Sequence, residues 1–303
     1  MNATIRKVTY VFLIFCVFPP AAPLGAGLFS DDLGRKVAIA PFPKRIVSMA
    51  PGITEILYAL GLDGEIAGVT LFCTYPEAAR KKPKIGGFTN ISVETILSLN
   101  PDLVIGTADG NRKETVVQLE GLGVPIYVTN PKRLEGILAM VDALGRITGK
   151  DKEAEKLTLT LKNRVRTLSS LVSRQKKRSV FFQVGFEPII TVGRDTLHNQ
   201  LITLAGGVNI AGGEKIMYPR YSIEGVVARQ PEVIVLSPMK YEADITKLWN
   251  QWKKWQTIPA VRDNRLHIID TDLIDRSSYR IVDGLEEMVK IIHPEVIKND
   301  KKK

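Results

Sequence analysis

Only two cysteines, Cys16 and Cys73, occur in the 303 residues. Cys16 falls in a segment that reads as a leader, which leaves the mature chain one thiol and no internal disulfide, so stability has to come from a packed core. Histidine is almost as scarce: His198, His267 and His293 stand apart, and no two show the i, i+4 spacing of a zinc-binding helix. Each reads as a lone structural or surface residue. There is no Gly-x-Ser-x-Gly elbow and no P-loop, and the pairs Gly86-Gly87, Gly206-Gly207 and Gly212-Gly213 lack phosphate-loop spacing. They read as helix ends and turns. No catalytic residue and no metal site emerges, and an enzyme is disfavoured.

The opening residues also fall short of the roughly twenty apolar residues of a membrane span. They run from Arg6 and Lys7 through the apolar segment Val8–Phe18 to small residues ending at Leu24-Gly25-Ala26, the order of a secretory signal. Residues 1–26 are expected to be a signal peptide and the mature protein to be exported, with a retained anchor as the alternative. The bulky Phe15 before Cys16 argues against lipidation. The formal net charge of +10 does not mark a nucleic-acid binder. Two of its cations lie in the leader and four lysines in the tail 298–303, the rest alternate with acids, and no aromatic and basic cluster accompanies them.

What is present is a helix without interruption. Residues 150–177 contain neither Gly nor Pro, and Ala154, Leu157, Leu161, Val165, Leu168, Leu171 and Val172 recur at steps of three and four, one helical face. At about 1.5 Å per residue it would run about 40 Å, the width of a domain. It is either a strut between two bodies or a long surface helix of one.

An internal repeat decides between them. Residues 92–105 match residues 222–235 without a gap, at a constant offset of 130. Both read as a helix capped by Ser92 or Ser222, a stop before Pro101 or Pro231, and a buried apolar strand. Strands are also expected at Arg45–Met49, Val124–Thr129, Ser179–Val184 and Leu266–Asp270. Helices are expected at Thr54–Leu60 and Leu197–Ala205, each stopped by a glycine. Apolar strands alternating with helices imply parallel sheets covered on both faces. The expected fold is α/β, two Rossmann-like lobes over 27–149 and 178–297, joined by the single long helix 150–177. Open sheets of this kind bind ligands beyond the carboxyl ends of their strands, so two facing edges make a cleft.

Glu94 and Glu224 hold equivalent places in the first turns of the repeated helices. Two readings stand side by side: each acid complements its helix dipole, or the pair grips a symmetric basic partner. Trp249, Trp252 and Trp255 read as one packing face of a helix over 248–258. Cys73 reads as a small packing residue near the cleft, or as a nucleophile or soft ligand of a metal-dependent enzyme on the same fold.

The ordered segments Lys44–Gly61, Cys73–Pro76, Ile85–Phe88 and Asn100–Ile105, with the repeat after Ser222, resemble the helical-backbone class of periplasmic substrate-binding proteins, which serve ABC importers of metal chelates. Asn199-Gln200, Ala205–Ile210 and Thr271–Arg280 resemble its cobalamin-binding branch. The resemblance implies a rigid connection with little hinge closure, a monomer, and cobalamin or a related corrinoid as transported ligand rather than cofactor. It implies that Pro51, Gly52, Phe72, Cys73 and Phe88 line the cleft from one lobe and Gly185, Phe186, Tyr218, Asp272 and Arg276 from the other. It also implies that Glu94 and Glu224 dock onto the two permease subunits. A corrin is a broad apolar disc fringed with amides, so aromatic walls suit its faces and a carboxylate with a guanidinium suits its rim. Phe88 and Tyr218 stand at positions that carry tryptophan in the best-known member of that branch, so haem or a ferric siderophore stays open as an alternative ligand.

Overall fold

Short runs of Ile, Val and Leu bounded by turns become strands buried on both faces, and the amphipathic stretches between them become the helices that cover those faces. A computed structural model describes residues 25–238 and 245–296. The leader up to residue 24 and the tail 298–303 lie outside the described residues. The described residues start with an antiparallel hairpin, β1 (Gly27–Ser30) and β2 (Lys36–Ile39). It continues through β3 (Ile46–Ser48), α1 (Pro51–Ala59), β4 (Ile66–Val69), α2 (Val93–Ser98), β5 (Leu103–Thr107), α3 (Lys113–Gly121), β6 (Ile126–Thr129) and α4 (Leu134–Thr148). The strands form a parallel sheet in the order β4-β3-β5-β6.

After α5 (Asp151–Val172) come β7 (Arg178–Phe186), β8 (Ile189–Thr191), α6 (Leu197–Leu204), β9 (Gly207–Asn209), α7 (Ile223–Arg229) and β10 (Val233–Leu236). The last elements are α8 (Ile245–Lys253), α9 (Pro259–Arg262), β11 (Leu266–Ile268), α10 (Thr271–Ile274) and α11 (Ile281–Ile292). The second sheet runs β11-β10-β7-β8, with β9 also on β7, and β8 alone is antiparallel. The fold is therefore two α/β lobes joined through one long helix.

The repeat takes the same form in both lobes. Ser92 Oγ accepts the Thr95 N–H at 3.0 Å and Ser222 Oγ accepts the Gly225 N–H at 3.1 Å, so α2 and α7 begin alike. Each leads to a buried strand, β5 or β10. The expected strand at Ser179–Val184 is longer than its pattern, because β7 runs on to Phe186 and turns back at Glu187 and Pro188 into β8. The helix expected over 248–258 stops at Lys253. Trp252 is fully buried and its Nε1 donates to Gln183 Oε1 at 2.9 Å, while Trp255 lies beyond the helix.

Helix α5 is about 33 Å long at about 1.5 Å per residue, and it packs along both lobes. At one end Gly145 of α4 leaves room for Ala154, whose Cβ would lie 2.4 Å from any Cβ placed there. Further along, Arg164 pairs with Asp283 at 2.8 Å and Glu286 at 2.9 Å, both on α11. One apolar cluster runs without a break from Leu57 and Met140 through Leu161 and Leu168 to Leu201, Val282 and Met288, so the lobes share a core. Each sheet's outer face has a core of its own, around Ile96 and Val104 in one lobe and around Phe181 and Trp252 in the other.

The elbow between α4 and α5 depends on Gly149, which ends α4 in the left-handed region at φ 71°. A side chain there strains the backbone by about 1–2 kcal/mol. A Cβ there would also fall 2.4 Å from the Phe42 ring, so Gly149→Ala is expected to lower stability by at least that amount, read as a lower urea midpoint at an unchanged m-value.

Candidate functional site

A cavity of about 520 Å³ opens between the lobes. Its walls are built where strands end. The turn from β3 into α1 brings Ala50, Pro51, Gly52 and Ile53, and the loop after β4 brings Phe72. Phe88 stands before α2. Thr107, Asp109 and Gly110 follow β5, Thr129 ends β6, and Met140 rises from α4. The second lobe contributes Asp275, Arg276 and Ser277, from the segment between α10 and α11. The lobes approach so closely there that a Cβ on Gly52 would lie 2.3 Å from the Ser277 carbonyl oxygen.

Phe88 is held from behind. Gly110 has φ 112°, and a Cβ on it would come within 1.9 Å of the Phe88 ring. Asn111 is nearly buried and stitches three segments together: its Oδ1 accepts the Thr107 N–H at 2.8 Å, and its Nδ2 donates to the Met49 carbonyl at 3.0 Å and the Phe88 carbonyl at 3.2 Å.

Among the residues expected at the cleft, Pro51, Gly52, Phe72, Phe88 and Arg276 line the cavity. Tyr218 lies outside the lining, on the exposed run Ile216, Met217 and Tyr218. Its hydroxyl is pushed above the usual phenol range, first by partial burial and then by the negative charges of Asp109 on one lobe and Asp275 on the other. Gly185 and Phe186 are not lining residues either. A Cβ on Gly185 would meet the Ile190 side chain, and Phe186 packs beside Phe181 and Trp252.

Cys73 needs correction as a cleft residue. It is 1% exposed, its sulfur takes the Thr54 hydroxyl at 3.1 Å and contacts the Thr70 hydroxyl at 3.2 Å, and burial raises its pKa. A thiol that is buried, hydrogen-bonded and protonated belongs to the packing behind the wall.

Arg276 and Asp272 also differ from the expectation of a pair kept for the ligand rim. Arg276 donates to Glu55 Oε1 at 2.8 Å, to Thr74 Oγ1 at 3.2 Å and to the Phe72 carbonyl at 3.4 Å, all across the lobe boundary, and Asp272 Oδ1 lies 2.8 Å from it. Glu55 is 1% exposed in the middle of α1. Its Oε2 accepts the Ser278 hydroxyl at 2.6 Å, Arg280 approaches Oε1 at 3.5 Å, and the Arg280 guanidinium lies 3.9 Å from the Tyr75 ring centre. Burial pushes the Glu55 carboxyl above its usual range, and Ser278, Arg276 and Arg280 pull against that rise. A second tie stands at the start of α4, where Gln200 of α6 accepts the Leu134 N–H at 2.9 Å and donates to both Glu135 oxygens at 2.9 Å.

The sequence did not single out Glu55, Asp109, Gly110, Asn111 or Asp275 for a site role, and it named Gln200 only as part of a motif. The one legible signal was an acid inside an apolar helix, Ile53-Thr54-Glu55-Ile56-Leu57. An ionised group there requires a partner. Glu94 and Glu224 are exposed, one on each lobe; the Ser92 hydroxyl donates to Glu94 Oε2 at 3.1 Å. Glu224 is held below the usual carboxylate range by its own backbone N–H and by the Ser222 hydroxyl.

The chain belongs to the periplasmic binding protein family, whose sequence profile matches residues 46–273. It is 33% identical over 245 residues to a vitamin B12-binding protein of Vibrio campbellii, covering 81% of this chain and 88% of that one. The crystal structure of the periplasmic vitamin B12 binding protein of Vibrio cholerae superposes with a TM-score of 0.73 at 29% identity, covering 84% of this chain and 98% of that one. A periplasmic heme-binding protein of Roseiflexus sp. RS-1 superposes with a TM-score of 0.74 at 27% identity, over 84% and 99% of the two chains.

The interlobe pairing has a measurable consequence. Arg276→Met leaves Glu55 buried with weaker compensation and is expected to cost on the order of 3 kcal/mol at pH 7. Glu55→Leu combined with Arg276→Met removes both charges and is expected to recover much of it. The sign with pH follows from the raised carboxyl: the stability it contributes is present below the unfolded value of 4.5 and lost as pH rises through the folded value. Arg276→Met makes that loss steeper and the double variant flattens it, in urea titrations from pH 4.5 to 7.

Proposed function

We propose that this chain captures a corrinoid, cobalamin or a close relative, in the interlobe cavity and delivers it to the permease of an ABC importer. The observation that carries the reading is the cavity itself, between two lobes tied by a shared core and walled by Phe72 and Phe88. A cleft of about 520 Å³ with aromatic faces and polar groups at its edge suits a broad apolar disc with a polar rim. In this reading Pro51, Gly52, Phe72 and Phe88 pack against one side of the ligand, Tyr218 closes over it from the other lobe, and Arg276 positions the wall through its bonds to Phe72 and Glu55. The protein binds and releases without chemistry, as the buried, protonated Cys73 favours. The family supports work in the periplasm, and the leader pattern supports removal of residues 1–26 on export. The resemblance to a heme-binding structure makes haem the competing ligand.

Cyanocobalamin added to the exported protein, expected to begin at Gly27, should bind one to one by calorimetry. Phe88→Ala and Phe72→Ala should each weaken binding about tenfold, since burying an aromatic face contributes on the order of 1.5–3 kcal/mol. A shifted Soret band with haem and no heat with cyanocobalamin would overturn the reading in favour of haem.

We further propose that Glu94 and Glu224 are the docking contacts, one per lobe, for basic residues repeated on two like permease subunits. Their exposure at matching places in matching helices supports this. Glu94→Gln with Glu224→Gln should leave ligand affinity and Tm nearly unchanged and sharply reduce uptake by a reconstituted importer. Uptake at the wild-type rate would leave the acids as helix-dipole partners only.

A further inference from the structure

The charged residues that line the cavity are Asp109, Asp275 and Arg276. The last of these brings little free positive charge. Arg276 faces the carboxylates of Glu55 and Asp272, each at 2.8 Å, and spends further donors on Thr74 and Phe72. The two aspartates are differently placed. Asp109 follows β5 on one lobe, and among the described residues its ion pair is with Lys132, a 3.6 Å contact between exposed side chains, which is weak and screened. Asp275 belongs to the other lobe. His198 Nε2 holds its Oδ1 at 2.6 Å and the Ser237 hydroxyl approaches its Oδ2 at 3.3 Å. His198 is itself nearly buried, with its Nδ1 unpartnered, so the imidazole braces Asp275 from behind instead of reaching the cavity.

We propose that Asp109 and Asp275, one carboxylate from each lobe, select the rim of the bound disc, accepting a macrocycle edged with carboxamides and rejecting one edged with carboxylates. The inference rests on the corrinoid reading above and adds to it the chemical class of rim. An ionised carboxylate only accepts hydrogen bonds, and a primary amide offers it two N–H donors in a charge-assisted bond. A carboxylate on the ligand offers no donor and adds like-charge repulsion inside a cleft with low-dielectric walls. The apolar walls fix which disc enters, and the two acids fix what its edge carries.

The test uses two dicyano-corrins on one ring, the cobyrinic amide and the corresponding polycarboxylic acid, titrated into the exported protein by calorimetry with visible absorption as a second readout. Wild type is expected to prefer the amide, with the preference shrinking at high salt. Asp109→Asn with Asp275→Asn is expected to narrow the preference about tenfold, chiefly by tighter binding of the acid form. Asp109→Asn alone, on an exposed loop, is expected to narrow it in the same direction, which keeps the test sound if loss of the His198 contact disturbs the double variant. Amide binding with a ratio unchanged in both variants overturns this inference and leaves the corrinoid reading intact. Failure of wild type to bind either corrin overturns both.

Discussion

A carboxylate sealed from water where two lobes meet imposes a condition on everything around it. Glu55 sits inside the apolar helix α1, and an uncompensated charge there would cost several kcal/mol. Its compensation comes from Arg276, Ser278 and Arg280, all on one segment of the other lobe. The lobes therefore keep the spacing at which these groups meet, and Gly52 at the same boundary allows no side chain between them. Domain motion of the hinge type would have to break this pairing and open the common core.

The cleft inherits its shape from that constraint. Arg276 serves two tasks at once, since the guanidinium that satisfies Glu55 also holds the Phe72 carbonyl. Opposite, Gly110 and Asn111 set the Phe88 ring against the end of β5. The aromatic walls are thus fixed by backbone and buried polar contacts rather than by the ligand. A preformed site of this kind loses little ordering entropy on binding.

Much of the architecture was legible in the chain. Buried strands such as Leu103–Thr107 and Val233–Leu236 announce themselves as continuous apolar runs, and Ser92 and Ser222 mark their helices because a hydroxyl cap acts within four residues. The periodicity of α5 and the gapless repeat carried the two-lobe reading for the same local reason. The cleft was only half legible. Pro51, Gly52, Phe72 and Phe88 were implied only by the family resemblance, and they line the cavity because the loops at the strand ends of an open sheet converge there. Asp109, Asp275 and Asn111 carry no local signature, and Cys73, which its own residue context offered as a packing residue and only the resemblance put in the wall, is packed behind it.

By itself, then, the sequence determined what depends on neighbours in the chain: the order of strands and helices, their caps and stops, the duplicated halves and the helix between them. Tertiary structure alone decided which charges would be spent inside the protein. The family resemblance offers Arg276 and Asp272, four residues apart in the chain, as a pair of ligand groups. Glu55 is more than two hundred residues from Arg276, and only packing of the lobes brings it within 2.8 Å. Desolvation makes that contact obligatory, because a buried carboxylate takes whatever cation the fold places beside it.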